Sequence, residues 1–496
     1  MKKLYFLLFT IFLSAQIGIA EKRFEFTPQA TVAYQKVMSL RFDEARLDIA
    51  QIKHSDPDNQ IVYFIENYID FFSVFINENK SEFKKLERNK NARIKEIRKG
   101  DRSSPYYLYC QAEIKLQWAL ARLKFEQFFN AFNEVSSAYK LLKRNQKKFP
   151  DFMANKKSLG ILHAMIGTVP DNYKWGVKLL GGMSGNIEEG KKEIEEVLIH
   201  AQSNPFLFEE ETLVMYAFLM LHLKDDMNEA WGIIQNDKLD PSKNPLVCFA
   251  YGNIAMRTGR NDKAIEILEN RPRGSQYATF HFLEYMLGLS KLYRLDRDAD
   301  VHLKNYVRNF RGQNYIKEAY QKLAWFHLIN GNEINYMHYI KFCKTEGAKV
   351  IGGDETAEKE AKSGQIPEIT LLKARLLFDG GYFDRAFNLL KTKSLSDFSN
   401  QKDQLEYSYR LGRVTHNTGK HDEAIMYYQT TIDRGTDASY YFACNAALQI
   451  GRIYEYQKDK SKAKEFFKLC LAIKPDEYRN SLHQKAKAGL NRLKSW

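Results

Sequence analysis

The stretch AALQIGRIYEYQKDKSKAKEFFKLCLAIKP, Ala446 to Pro475, decides the architecture. Its apolar and small residues fall three and four apart, the period of a helix with one buried face, and they do so twice around a polar turn. Gly451 and Ala463 let the two helices touch, Tyr454 and Phe467 fill the space between them, and Pro475 stops the second helix. One such hairpin cannot hide its apolar face, so stacked copies are expected.

Copies recur. Leu411, Gly412, Gly419, Ala424 and Tyr428 repeat the pattern, as do Ala374, Gly381, Ala386 and Leu390, and Gly252, Gly259, Ala264 and Leu268; weaker copies centre on Gly288 and Ala324. The anchors at 252, 288, 324, 374, 412 and 451 are separated by 36, 36, 50, 38 and 39 residues. This resembles the tetratricopeptide repeat, whose standard period is about 34 residues. The long interval holds TEGAKVIGGDETAEKEAKSGQIP, Thr345 to Pro367, a polar, Gly-containing run that reads as a loop or a short frayed helix.

Beyond residue 20 the helical period is nearly everywhere, and alternating β-branched runs are few. The expected fold is all-α, a tetratricopeptide-repeat superhelix with a less regular helical N-terminal half. The expected division is a signal peptide at 1–20, an N-terminal helical domain at 21–200 with a Gly-rich helix-turn-helix at 175–198, repeats at 201–344, a loop insertion at 345–366, and C-terminal repeats at 367–496. In the N-terminal half, Phe64, Tyr68, Phe71, Phe72 and Phe75 share one face, and Phe125, Phe128, Phe129 and Phe132 another; both read as core.

The chain opens MKKLYFLLFTIFLSAQIGIAEK, with Lys2 and Lys3 ahead of a short apolar run, and with Gly18 and Ala20 placed for cleavage after Ala20. This predicts export, to the periplasm in a bacterial setting. No Cys precedes Cys110, so a lipoprotein anchor is not expected. TLVMYAFLMLHL, Thr212 to Leu223, is about half a membrane span and reads as a buried helix. Five scattered cysteines, Cys110, Cys248, Cys343, Cys444 and Cys470, form no C-x-x-C pair, and Cys343 and Cys470 fall at the small inward position of their repeats. The formal charge of +14, about +12 without Lys2 and Lys3, favours anionic partners.

GNIEEGKK, Gly185 to Lys192, comes within one residue of a phosphate-binding loop. Lys192 stands where a magnesium-holding hydroxyl is needed, Glu188 and Glu189 would repel phosphate, and Trp175 to Leu180 ahead of it reads as helix rather than strand. Asn186 instead reads as a helix N-cap, with Glu189 completing a capping box.

The run LGILHAMIGTVPDNYKWGVKLLGGMSGNIEEGKKEIEEVL, Leu159 to Leu198, resembles the signature of the inclusion-body-clearance family, which includes the vertebrate tetratricopeptide repeat protein 39 members. The matching features are Pro170, the apolar Lys178 to Leu180, the turn from Gly182 to Gly185, and Gly190. Gly182 and Met183 depart from the usual Gly-Phe, and the cytosolic eukaryotic members carry no signal peptide. The resemblance implies the fold, a non-enzymatic character and use as an adaptor.

H-E-x-x-H and G-x-S-x-G are absent, and His416, His421, Asp422 and Glu423 read as turn residues rather than metal ligands. No catalytic, cofactor or metal residues are expected. KSEFKKLERNKNARIKEIRKGDR, Lys80 to Arg102, holds ten basic and four acidic residues. It lacks interleaved aromatics, which argues against nucleic acid and leaves a solvated face or peripheral contact with an anionic membrane surface.

Arg375, Arg413 and Arg452 occupy the same repeat position, one that faces the groove of a stacked array. With Tyr409, His416, Asn417 and Tyr456 they form the candidate partner-binding set, suited to an extended, acidic protein or peptide segment. The competing arrangement pairs these arginines with Glu406 and Glu455. The reading is a non-enzymatic interaction scaffold of the cell envelope; the alternative is a helical solute-binding protein of a nutrient-uptake system.

Overall fold

A computed structural model describes residues 22–167, 182–224 and 226–495. These residues form twenty-four α-helices, and among them there is no strand, only an isolated bridge pair, Arg23 with Asn59. The first ten helices are α1 Pro28–Met38, α2 Phe42–Ser55, α3 Ile61–Asn77, α4 Lys80–Ile97, α5 Tyr106–Lys124, α6 Phe128–Lys148, α7 Met153–Gly167, α8 Ile187–Ser203, α9 Glu209–Leu219 and α10 Met227–Ile234. There follow α11 Pro245–Arg257, α12 Asn261–Glu269, α13 Phe282–Arg294, α14 Ala299–Asn309, α15 Ile316–Ile329, α16 Glu333–Thr345 and α17 Gly352–Ser363. The last seven are α18 Ile369–Asp379, α19 Phe383–Leu390, α20 Gln401–Asn417, α21 His421–Gly435, α22 Phe442–Tyr456, α23 Lys460–Ala472 and α24 Arg479–Arg492.

Apart from α17, which packs back on α15 and α16, each helix packs on the next, and the first helix of each hairpin also touches the first helix of the following one. That inner row runs α1, α3, α5, α7, α9, α11, α13, α15, α18, α20, α22 and α24, while second helices make no comparable contact with each other. The molecule is therefore an all-α, tetratricopeptide-like solenoid, and its hairpin order reaches back to Pro28. The N-terminal hairpins vary from the 11 residues of α1 to the 21 of α6, which hides any fixed period there.

The repeat glycines work by size complementarity. A Cβ on Gly412 would lie 2.6 Å from the Tyr428 ring, and one on Gly451 2.6 Å from the Phe467 ring, so each large side chain is seated directly on its partner helix. Tyr454, expected to share that space, stacks instead on Phe466 at 5.8 Å between centroids.

Three expectations need correction. The segment expected as a loop insertion contains α17, whose buried residues Asp354, Ala357 and Ala361 hold it against α15 and α16. Phe128 and Phe129, expected in the core, are 60% and 77% exposed, whereas Phe64, Tyr68, Phe71 and Phe72 are buried. In the basic run, Lys90 pairs with Glu134 and Arg93 with Asp70, so part of its charge is spent inside the fold.

Thr212 to Leu221 lies in α9 and a π turn, Met220–Lys224, mostly buried. No helix among the described residues is long and apolar enough to cross a membrane. Asn186 caps α8, its side chain accepting the Glu189 N–H at 2.9 Å. The signal peptide and the helix expected at Trp175 to Leu180 lie outside the described residues, as does most of the stretch from Pro170 to the Gly182 turn.

Candidate partner-binding groove

The inner row of helices carries the three arginines, Arg375 in α18, Arg413 in α20 and Arg452 in α22. Arg375, Phe378 and Asp379 of α18, Tyr409, Arg410 and Arg413 of α20, and Tyr441 just ahead of α22 enclose a cavity of about 140 Å³. Sequence spacing placed Arg375, Tyr409 and Arg413 together, and the structure brings them to one site.

Charge in this cavity is unevenly neutralised. Arg410 is held by Glu406, with Nε donating to Oε1 at 2.7 Å. Arg375 Nε lies 3.8 Å from Asp379 Oδ2, and its guanidinium sits 4.8 Å over the Trp325 ring of α15 while 38% of the side chain stays exposed. Arg413 lies 4.6 Å over the Phe378 ring, and its Nη1 donates to the Tyr409 hydroxyl oxygen at 2.9 Å. Asn445 Nδ2 donates to that same oxygen at 2.7 Å. Among the described residues no carboxylate pairs with Arg413; burial works against its charge, and the neighbours favouring it are Tyr409, Tyr428 and Tyr441. The pairing that competed with the groove reading forms only for Arg375, through Asp379; Glu406 takes Arg410 and Glu455 takes Arg492 at 2.7 Å, which leaves Arg413 and Arg452 without a carboxylate among the described residues.

Trp325 is itself fixed from behind. Its Nε1 donates to Glu360 Oε1 at 2.8 Å, and Gln321 Nε2 donates to Glu360 Oε2 at 2.6 Å, so α17 props the wall on which Arg375 stacks. Lys322 Nζ lies 3.8 Å over the same indole ring, its pKa pushed down by burial.

The other candidates lie toward the C-terminal ends of α20 and α22. His416 meets His421 edge to face at 5.7 Å, and His421 meets the 77% exposed Tyr456 at 5.4 Å. Burial, then the positive charges of His421, Arg413 and Arg452, push the His416 pKa down to about 4. Asn417 Nδ2 donates to the Arg413 carbonyl oxygen at 2.9 Å and so braces its own helix. Arg452 is half-buried and forms no ion pair among the described residues. Phe378, Tyr441, Trp325 and Asn445 were missed by sequence reasoning; the only signal for Phe378 was its place three residues after Arg375, on the same helix face.

His163, Glu189 and Glu193 bring their ligand atoms within 4.8 Å of one another. His163 Nδ1 is 2.6 Å from Glu193 Oε2, so the arrangement reads as a buried histidine hydrogen-bonded to a carboxylate. Gly185 and Gly190 let α8 approach that histidine's helix, since a Cβ on Gly185 would lie 2.5 Å from His163 Cα.

Comparison with known proteins follows the same lines. The tetratricopeptide repeat family matches residues 403–476, which span α20 to α23 and thus two walls of the cavity. Two solved structures align over most of the chain: the crystal structure of yeast Tom70, at 13% identity, 94% of this chain, 88% of that chain and a TM-score of 0.25, and that of the Cut9-Hcn1 hetero-tetramer of the APC/C, at 13% identity, 94% and 100% coverage and a TM-score of 0.24. No curated protein matches the chain.

Proposed function

We propose that this protein is a non-enzymatic interaction scaffold whose inner helices hold an extended protein segment bearing carboxylates. The observation that carries the reading is Arg413: a guanidinium held over Phe378, inside a cavity, with no carboxylate partner among the described residues. A half-buried charge left without a counter-ion is costly, and a ligand carboxylate that meets the guanidinium edge offsets that cost with charge-assisted hydrogen bonds. Arg375 and Arg452 extend the site along the inner row, at intervals set by the repeat. In this reading the scaffold works in the cell envelope, a location supported by the signal-like residues MKKLYFLLFTIFLSAQIGIAEK, as an exported relative of the inclusion-body-clearance family, with 21–200 as the base of the array and the repeats of 201–344 and 367–496 as its binding part.

The test is fluorescence anisotropy with a labelled oligoglutamate peptide, against oligoserine and oligolysine of equal length. Selective binding of oligoglutamate, weakened at least tenfold in Arg413→Ala (about 1.4 kcal/mol) with an unchanged circular dichroism spectrum, is the expected result. Arg452→Ala serves as a second variant, since Arg452 forms no ion pair whose loss would disturb the fold. Equal affinity for all three peptides, or for wild type and both variants, overturns the reading.

A second surface is favoured by the exposed Phe128 and Phe129. They start α6, beside the first turns of α4, where Phe83 stacks on Phe125 at 4.4 Å, Arg122 pairs with Glu87, and Lys84, Lys85 and Arg88 face solvent. Aromatic side chains flanked by lysine and arginine suit an anionic lipid surface. Co-sedimentation with phosphatidylglycerol vesicles but not with phosphatidylcholine vesicles, lost in Phe128→Ser/Phe129→Ser, is the outcome this contact requires.

A further inference from the structure

Cys444 of α22 and Cys470 of α23 face each other across their hairpin with the two Sγ atoms 3.6 Å apart. All five cysteines are buried and free; Cys248, Cys343, Cys444 and Cys470 each have Sγ near a backbone carbonyl oxygen, of Ile267, Lys317, Cys470 and Leu482, and Cys444 and Cys470 alone of these also have a second sulfur in reach. The Cys444 and Cys470 sulfurs are already in contact, and the spacing is fixed by the close approach of the helices, with Gly451 against Phe467 and with Ala447 and Ala463 fully buried.

We infer that Cys444 and Cys470 are a modification site, a dithiol that a small disulfide such as oxidised glutathione converts to an intrachain disulfide tying α22 to α23. A disulfide has its sulfurs about 2.05 Å apart, so each would move by roughly 0.8 Å, which modest side-chain rotation supplies without moving the backbone. Either sulfur can donate in the contact they share, so exchange can begin at either thiol and gives the same bond; starting from Cys444 it takes two thiol–disulfide exchanges.

In the first step Cys444 gives its proton to water and its thiolate attacks the glutathione disulfide. A mixed disulfide forms on Cys444, the glutathione S–S bond breaks, and one glutathione thiolate leaves and is protonated. Cys470 then loses its proton and attacks the Cys444 sulfur; the second glutathione leaves as a thiolate and is protonated in turn. Two electrons pass from the protein dithiol to oxidised glutathione. Entry of the reagent requires this hairpin to open; the neighbouring α24 holds its Leu482 carbonyl oxygen 4.0 Å from Cys470 Sγ. Because α22 also carries Asn445 and Arg452, the bond would fasten one wall of the groove to its outer helix.

The full-length chain would be treated with oxidised glutathione, quenched in acid, denatured and alkylated. The expected result is two fewer alkylated cysteines than the five of the reduced chain, a linked Cys444–Cys470 peptide by mass spectrometry, and a thermal midpoint that rises on oxidation and returns with dithiothreitol. Cys470→Ala should stop at a mixed disulfide on Cys444. Five alkylated cysteines after oxidation, a link involving any other cysteine, or a link between chains overturns the inference, and because the primary readout uses wild type it does not depend on a variant that folds.

Discussion

Asp354 caps a helix to which it does not belong: its Oδ2 accepts the Tyr315 N–H at 2.7 Å and its Oδ1 accepts the Glu318 N–H at 2.9 Å. Helix α15 starts just after Tyr315, which is in the left-handed region at φ 63° and supplies no side-chain cap. The carboxylate arrives from α17, across 39 residues of chain, and satisfies donors that a helix start leaves free.

A pH dependence follows from that cap. Burial pushes the Asp354 pKa up to about 6, against the opposing pull of the two N–H donors. The folded state therefore holds this proton more tightly than the unfolded chain, so the stability the group contributes is complete below its ordinary value of 3.8 and is lost as pH rises through about 6. Asp354→Asn keeps an acceptor and removes the titration. The unfolding free energy of wild type minus that of the variant should fall by up to about 3 kcal/mol between about pH 4 and about pH 7, by urea denaturation at each pH. A difference that stays flat would show that Asp354 ionises freely in the fold.

Gly190 and Gly232 should respond to the same substitution with opposite signs. A Cβ on Gly190 would lie 2.3 Å from the Gly160 carbonyl oxygen and 2.6 Å from the Ala164 nitrogen, both backbone atoms of α7 that cannot turn aside. Gly190→Ala should cost about 1–3 kcal/mol by forcing α7 and α8 apart. Around Gly232, in the middle of α10, a Cβ meets nothing within 4 Å, so Gly232→Ala should stabilise by up to about 1 kcal/mol. Urea midpoints of the two variants check both signs, and a neutral Gly190→Ala would refute the tight helix contact.

The fold was legible because its strongest rule is local. Gly252, Gly288, Gly412 and Gly451 each face a large residue of the next helix, respectively Leu268, Leu303, Tyr428 and Phe467, and that pairing repeats at nearly constant spacing. Helix α17 gave little signal, since its buried face is only Asp354, Ala357 and Ala361, too small and too polar to mark an amphipathic helix. The arginines of the groove were found by register, but their aromatic beds were not. Trp325 lies 50 residues before Arg375, on another repeat, and only stacking of the inner helices brings the two together. Asn445 likewise reaches Tyr409 from the next repeat.

Lys157 anchors the N-terminal hairpins. With 1% of its side chain exposed, it sits 2.8 Å from Glu211 Oε1 and 3.7 Å from Glu113 Oε2, while the Tyr34 hydroxyl donates to Glu211 Oε2 at 3.0 Å. Lys157→Met strands two carboxylates beside each other and should cost about 3–5 kcal/mol. Adding Glu113→Gln and Glu211→Gln removes the stranded charge, so the triple variant should recover a measurable part of the loss. A triple variant no more stable than Lys157→Met would mean that the lysine's packing over Phe208, 5.0 Å away, matters more than its charge.

The groove should bind its anionic ligand through arginine alone at neutral pH. His416 lies beside Arg413 and Arg452, and its pKa of about 4 keeps the ring neutral throughout the physiological range. Arg375 and Arg413 stay protonated at every accessible pH, both being pushed above the ordinary arginine value. Affinity for oligoglutamate should therefore be level from about pH 6 to about pH 8 and fall with added salt, as expected for exposed charge pairs. His416→Gln should leave both dependences unchanged. The same depressed pKa fixes a separate stability signature: the folded state disfavours the His416 proton, so its contribution is present above the ordinary 6.5 and is lost as pH falls toward 4. His416→Gln should flatten the acid side of the stability curve without touching binding. A binding curve that instead rises steeply below pH 6.5 and is levelled by His416→Gln would make the histidine a ligand contact, in place of the neutral neighbour its surroundings make it.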